Sequence, residues 1–360
     1  MVNVGRALRV LVIDDSALVR QTLRALLSSD GEFEVEVAAD PLFGEQKLGS
    51  FAADVVILDL EMPRMDGLTW LRQRMRTQPI PVVICSALAN RWADAAVRAL
   101  EEGAVEVVTK PQIGVRDFLQ QSAQSIRDAV RAAADVGQSA AWSARRPTEE
   151  GAATIARPLI EAVGNGDPAA LIAIGASTGG PEALRAILEA MPPDAPPILI
   201  AQHMPAGFTA AFAKRLDSSC RLTVREAQSG DRLRPGLALV ARGDHHLLVH
   251  RVGAVYVAEL NSGPPVSRHR PSVDLLFRSV ARVAGGHAVG VILTGMGADG
   301  AEGMLSLRQA GAATIAQDLQ SSVVFGMPRE AIERGGVQRV VPLERMAATI
   351  LECASPKVRA

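Results

Sequence analysis

Short β-rich runs alternate with runs of helical period along most of the chain, and that alternation constrains the fold more than any other feature. In the first block the strand-like runs are Leu8–Ile13, Phe33–Ala38, Val55–Leu60, Val82–Ser86 and Val105–Thr109. Helical patterns follow each of them: Ser16–Leu27, Pro41–Leu48, Leu68–Arg76, Arg91–Glu102 and Val115–Ala134. Apolar runs this short read as buried strands, and strict β/α order predicts a parallel sheet covered by helices on both faces.

The alternation stops between about Asp135 and Pro168, where Ala, Gly, Ser, Pro and mixed charges dominate, and this stretch reads as a linker. It resumes with strand candidates Leu171–Ala176, Ile198–Gln202, Leu222–Glu226, Val289–Thr294, Ala313–Ala316 and Val337–Val341. Helix candidates there are Glu182–Ala190, Phe208–Leu216, Val273–Val283, Gly300–Ala310, Pro328–Arg334 and Leu343–Leu351. Leu237–Ala241, His246–His250 and Val255–Glu259 read as antiparallel hairpin strands inserted in the sheet. The expected organisation is an N-terminal five-stranded flavodoxin-like domain over 6–125 and a linker over 126–167. A doubly wound, mostly parallel α/β domain with an antiparallel hairpin follows over 168–356.

Composition narrows the function classes. Lys+Arg 38 against Asp+Glu 39 leaves a net charge of −1, and aromatic residues make up only 3%, so neither a basic face nor a stacking platform for nucleic acid is expected. The 3 cysteines, Cys85, Cys220 and Cys353, show no ligand-like spacing and read as reduced thiols of a cytosolic protein. No apolar stretch approaches a membrane span, and Val10–Ile13 ends at two aspartates instead of extending into a signal sequence. The expected location is cytoplasmic, without membrane insertion.

Polar residues gather at the carboxyl ends of the first block's strands, where open α/β sheets bind ligands. Asp14 and Asp15 follow the first strand, Asp59 the third, Ser86 ends the fourth, and Lys110 follows the fifth. Clustered carboxylates stay ionised together only beside a cation, and an oxygen-only donor set suits Mg²⁺. Ser86 and Lys110 would hold phosphoryl oxygens, with Asp59 as the nucleophile that forms an acyl phosphate. Taken alone, Asp14-Asp15 would read as turn or capping residues; all five in this order favour the site.

Residues 6–125 resemble a response-regulator receiver domain, on the strength of Asp14-Asp15, Asp59 with Met62-Pro63-Arg64-Met65-Asp66-Gly67, Ser86, and Lys110-Pro111. The resemblance implies Mg²⁺-dependent phosphotransfer from a sensor histidine kinase to Asp59. It also implies metal ligation by Asp15, Asp59 and the backbone carbonyl of Glu61, beside Asp14. Val107 stands where receivers often carry an aromatic switch residue, which points to coupling through interface packing instead of ring rotation.

In the second block, Ser177 lies in Gly175-Ala176-Ser177-Thr178-Gly179, between a buried strand and a helix with Pro181 and Glu182 in its first turn. A serine on such a turn gains free backbone N–H groups and the positive end of a helix dipole. The G-x-S-x-G match is weak by itself in a Gly- and Ala-rich chain; the strand–turn–helix context strengthens it. A hydroxyl nucleophile needs a base and the base an orienting carboxylate. Among the 6 histidines, His203 is best placed, directly after the next strand. Asp299, in a Gly-rich turn after another buried strand, is the candidate acid, although a helix N-cap is the commoner role for such an Asp. The Arg268-His269-Arg270 loop either lines the cleft or is a solvated turn; both readings stay open.

The order Ser177, His203, Asp299 is not that of α/β-hydrolases. Residues from about 168 to 355 resemble the catalytic domain of the chemotaxis protein-glutamate methylesterases, the CheB family. The matching segments are Ile172–Glu182, Gln202-His203-Met204-Pro205, Pro264–Asp274, Gly290–Gly300 and Val324–Glu330. The resemblance places Ser177, His203 and Asp299 on the family's triad positions. It implies demethylation of glutamate methyl esters, and deamidation of glutamines, on the cytoplasmic helices of methylated chemoreceptors, with no cofactor for the ester chemistry. The backbone N–H groups of Thr178 and Met296 are the candidate oxyanion donors. The two-domain layout leads to the expectation that phosphorylation of Asp59 releases the esterase from restraint. A catalytically silent adaptor, a DNA-binding regulator and a lipase-like esterase are the rivals. The intact triad positions, the lack of a helix-turn-helix pattern, and the triad order with its attached receiver count against them in turn.

Overall fold

The computed structural model describes residues 6–63, 65–87, 90–111, 116–138, 142 and 170–355. Two compact units divide the chain, Met1–Ala152 and Ala153–Ala360. Of the expected linker, 126–137 is helix, and most of the remainder lies outside the described residues, as does Arg64.

In the first unit, β1 (Leu8–Ile13), β2 (Phe33–Ala38), β3 (Val55–Leu58), β4 (Val82–Ser86) and β5 (Glu106–Thr109) form one parallel sheet in the order β2-β1-β3-β4-β5. The chain goes to one side of β1 for β2 and to the other for β3, so a topological switch opens at the β1/β3 carboxyl ends. The helices are α1 (Ala17–Leu27), α2 (Pro41–Leu48), α3 (Gly67–Thr77), α4 (Asn90–Glu101) and α5 (Arg116–Gly137). Side-chain caps start three of them: Ser16 accepts from Val19 N, Asp40 from Phe43 N and Asp66 from Thr69 N. Val10–Ile13 and Val55–Leu58 are almost wholly buried, as strands covered on both faces must be.

The second unit holds a seven-stranded sheet, β14-β13-β12-β6-β7-β9-β8. Its strands are β6 (Leu171–Ala176), β7 (Ile198–Gln202), β8 (Thr223–Glu226), β9 (Leu237–Val240), β12 (Ala288–Ile292), β13 (Ala313–Gln317) and β14 (Arg339–Val341), all paired in parallel. The helices are α6 (Gly180–Ala190), α7 (Thr209–Ser219), α8 (Val273–Ala284), α9 (Ala301–Gln309), α10 (Met327–Glu333) and α11 (Leu343–Ala354). One core runs from Leu171 and Ala173 through Leu199, Leu239, Phe277 and Val280 to Ile292 and Met304.

One expectation needs correction. Leu237–Val240 is not a hairpin strand but β9, parallel to both β7 and β8. All of its residues are buried, the signature of an interior parallel strand. Only β10 (His246–Val252) and β11 (Val255–Asn261) pair antiparallel, and they form a separate two-stranded ribbon instead of entering the sheet. Their one-sided burial fits a ribbon with one wet face.

Candidate active site and phosphoacceptor site

Ser177, His203 and Asp299 follow three neighbouring strands, β6, β7 and β12. Ala176 of β6 pairs in register with Gln202 of β7, and the His203 N–H donates to Ala176 O at 3.0 Å. Ser177 and His203 therefore leave the sheet side by side. β12 flanks β6 on its other side, so the three residues converge at the carboxyl ends of the strands, at the point where strand order reverses.

Ser177 is buried at the head of α6, and its N–H donates to Thr294 O at 3.0 Å. Thr294 also donates from Oγ1 to Thr178 O at 2.9 Å, and so holds both residues of the turn. Gly295 lies against the serine: a Cβ there would stand 2.7 Å from Ser177 Cβ, so only glycine lets the β12 loop come this close.

Asp299 is 2% exposed and does not cap the helix after it; the residue in that place is Gly300. It is held instead by the head of α8. Ser272 Oγ donates to Oδ1 at 2.9 Å, Val273 N to Oδ2 at 2.8 Å and Asp274 N to Oδ1 at 3.1 Å. His203 Nε2 meets Oδ2 at 2.8 Å. Burial pushes this carboxyl up, but the His203 hydrogen bond and charge and the α8 N–H groups outweigh it and hold Asp299 below the usual carboxylate range. An ionised Asp299 accepts a hydrogen bond from Nε2–H and so keeps the proton on Nε2, which leaves the lone pair on Nδ1. Nδ1 is buried and has no hydrogen-bond partner, and no hydrogen bond joins it to Ser177 Oγ in this structure.

The Arg268-His269-Arg270 loop is not a simple solvated turn. Val266 and His269 exchange backbone hydrogen bonds of 3.1 and 2.9 Å around Ser267 and Arg268, both at positive φ (51° and 69°). This turn lays the His269 ring flat on His203, with centroids 3.7 Å apart and planes 7° from parallel. Arg270 donates to the Ser262 and Gly263 carbonyls and pairs with Asp244, while Arg268 stays exposed. Buried His246 braces the loop at both ends: Nε2 meets Pro264 O at 3.0 Å, and Nδ1 accepts from Ser272 N at 3.1 Å.

In the first unit, carboxylate oxygens of Asp14, Asp15 and Asp59 lie within 4.8 Å of one another. Asp14 and Asp59 are buried, whereas Asp15 is exposed. Lys110 Nζ reaches Asp59 Oδ2 at 2.7 Å and Asp14 Oδ2 at 3.0 Å. Burial, with the Asp14 charge adding and Lys110 opposing, raises the Asp59 carboxyl to about 6. Burial likewise raises Asp14, although Lys110 opposes it. Burial pulls the Lys110 ammonium down, but its two carboxylate partners win and carry it to about 12. One ammonium among three carboxylates leaves an excess of negative charge on an oxygen-only donor set, which fits a hard divalent cation. Ser86 is buried beside this cluster at the end of β4, and its carbonyl accepts from Lys110 N at 3.0 Å. The Glu61 N–H donates to Asp59 Oδ1 at 3.1 Å. Val107 is buried within β5.

Residues 172–350 match the family model described as CheB methylesterase, and residues 10–122 match the response regulator receiver domain. A relative from Anaeromyxobacter dehalogenans, named protein-glutamate methylesterase/protein-glutamine glutaminase 1, is 53% identical over 96% of this chain and 99% of its own length. A relative of the same name, numbered 3, from Geobacter metallireducens is 50% identical over 96% and 99%. This chain belongs to the CheB methylesterase family.

Among solved structures, the catalytic domain of Thermotoga maritima CheB methylesterase covers 51% of this chain and 98% of its own length, at 38% identity and a TM-score of 0.50. A seven-stranded parallel sheet with an antiparallel ribbon is thus the fold of the second unit of this CheB-family chain, and the first unit holds a five-stranded receiver sheet.

Several residues that shape the CheB-family site escape a reading of the sequence: Gln202, Thr294, Ser272 and His246. Each works through a hydrogen bond to a distant backbone or carboxylate group, and no periodicity marks such a partner. Ser272 alone carries a local signal, as the N-cap of α8. Of the remaining histidines, His245 and His250 face local partners and His287 sits in the turn before β12.

Proposed function

We propose that this chain is a phosphorylation-activated serine esterase that demethylates glutamate methyl esters on chemoreceptor cytoplasmic helices and deamidates receptor glutamines. The observation that carries this reading is the His203 Nε2–Asp299 Oδ2 bond of 2.8 Å, which leaves Nδ1 unpaired at the end of the strand beside Ser177. With Nε2 committed to Asp299, Nδ1 accepts the Ser177 Oγ proton as the oxygen attacks the ester carbonyl. The developing imidazolium is stabilised by Asp299, itself kept ionised at the head of α8. The N–H groups of Thr178 and Met296 receive the negative charge of the tetrahedral oxygen. His203 returns its proton to the departing methoxide, methanol leaves, and a water activated by Nδ1 then frees the acyl-enzyme.

In the receiver unit, Asp14, Asp15, Asp59 and the Glu61 carbonyl would hold Mg²⁺, whose charge would neutralise the carboxylates and the incoming phosphoryl oxygens. Asp59 attacks the phosphoryl group supplied by a sensor histidine kinase, and Lys110 and Ser86 hold the transferred oxygens. The acyl phosphate replaces the present Lys110–Asp59 pairing and biases the chain toward its active form. The protein acts in the cytoplasm on the membrane-distal parts of the receptors; no described helix is long and apolar enough to cross a membrane.

Methanol release from methylated chemoreceptor membranes tests the esterase assignment. Ser177→Ala should lower kcat by about 10⁵–10⁶-fold. A Ser177→Ala protein that keeps most of its activity would remove the serine from the mechanism.

A further inference from the structure

Gln202 closes β7, is 2% exposed, and lies between the nucleophile and the base. Its Nε2 donates to Ser177 O at 2.9 Å and to His203 O at 3.0 Å. Both hydrogens of the carboxamide are therefore spent, one on each residue. Both acceptors are backbone carbonyls, which cannot donate, so the chemistry fixes which way the amide points.

The other end of the same amide sits badly. Oε1 is buried without a hydrogen-bond partner. It packs on Gly180, the first residue of α6, where a Cβ would overlap it. A buried acceptor left unpaired is a cost that an apolar side chain of the same length would avoid, at the loss of the two donors. The fold thus keeps one orphaned acceptor together with the two hydrogen bonds donated to the residues on either side of the site, and those two bonds are what the amide supplies here.

We infer that Gln202 is a positioning residue that sets the Ser177 peptide and the His203 backbone in one frame and aims the Thr178 N–H at the oxyanion. The argument rests on the triad reading above. In a trans peptide the C=O of one residue and the N–H of the next point in opposite directions. Gln202 Nε2 and Gly180 N, the latter at 2.7 Å, grip the Ser177 carbonyl. That grip fixes the plane of the Ser177–Thr178 peptide, and with it the direction of the Thr178 N–H. The second hydrogen bond ties the same amide to the residue that carries the base. An interaction that acts by aiming a donor at charge formed in the transition state lowers kcat when lost and leaves substrate binding alone.

Gln202→Met keeps the length and removes both donors and the orphan acceptor. Its kcat and KM for methanol release, per titrated active site, are measured with its thermal midpoint, beside wild type and Ser177→Ala. The expected result is a kcat about 10–100-fold lower with KM within about twofold, at a temperature where the thermal midpoint shows the variant fully folded. A kcat within twofold of wild type overturns the inference, as does a loss confined to the thermal midpoint. If the Met variant fails to fold, Gln202→Leu, which likewise lacks the donors and adds no charge, carries the same test with the same two outcomes. Should Ser177→Ala be inactive while the Gln202 variants keep full kcat, only the positioning role fails. An active Ser177→Ala would remove the triad reading itself.

Discussion

His269 lies flat on His203, ring centroid to ring centroid 3.7 Å, so the candidate base is held on one face by a second imidazole and at its Nε2 edge by Asp299. A stacked ring fixes the plane in which His203 turns and covers the imidazolium formed during the reaction. Such contacts contribute about 0.5–1.5 kcal/mol, or roughly 3–10-fold in rate. His269→Ala should lower kcat by that factor with little change in KM, and His269→Phe, which keeps a flat ring, should recover most of it. Steady-state methanol release on both variants checks this; an Ala variant as fast as wild type would leave the stack without a catalytic role.

The same histidine gives the catalytic unit an acid weakness. Burial, and then the charge of His203, hold the His269 imidazole down at about 3, well below its ordinary 6.5. The folded state thus binds this proton more weakly than the unfolded chain. Stability is present above pH 6.5 and is lost progressively as pH falls toward 3. His269→Phe removes the titrating group, so its thermal midpoint should gain on wild type as the buffer moves from pH 7.5 to 5. A difference between the two proteins that stays constant with pH would count against a neutral, half-buried His269.

Asp299 is gripped by α8 as much as by His203, and the two roles separate by mutation. Asp299→Asn removes the charge that supports the imidazolium, and kcat should fall by about 10⁴-fold. Ser272→Ala keeps the carboxylate but deletes both the α8 cap and one hydrogen bond to Asp299. It should cost about 1 kcal/mol in stability, with a much smaller loss of kcat than Asp299→Asn. Denaturant unfolding and kinetics on the pair check the separation.

On the proposed reading of the receiver, a proton and Mg²⁺ compete for the carboxylates around Asp59. Asp59 is raised to about 6 by burial, so below that pH a cation must displace a proton from it. Mg²⁺ affinity should hold steady above pH 7 and weaken by about tenfold per pH unit below 6. Calorimetry at pH 5 and pH 7.5, with proton release measured in two buffers, checks both sign and size. Asp59→Asn should lose phosphorylation and the Asp59 share of the pH dependence, leaving the part that comes from Asp14.

Much of this arrangement is legible in the sequence because interior parallel strands are apolar on both faces and stop at polar residues. Leu171–Ala176 followed by Ser177, and Ile198–Gln202 followed by His203, are of this kind, and the structure sets them side by side. The same logic brings Asp14, Asp59 and Lys110 to one end of the receiver sheet. Leu237–Val240 misleads because its neighbours His246–Val252 and Val255–Asn261 do form a hairpin, and a buried strand of four residues carries no mark of its partner's direction. The roles of Gln202 and His269 are invisible for a different reason. Each depends on a partner 25 or more residues away, met only once the strands are in register.

The most direct measurement is methanol release by the intact chain on methylated chemoreceptor membranes, with and without a small-molecule phosphodonor and Mg²⁺, beside Asp59→Asn and Ser177→Ala. Release that rises with the phosphodonor, fails to rise in Asp59→Asn and vanishes in Ser177→Ala is expected from a receiver that governs a serine esterase. Absence of release from the intact chain, with Asp59 demonstrably phosphorylated, would mean that the Ser177–His203–Asp299 site does not perform this reaction.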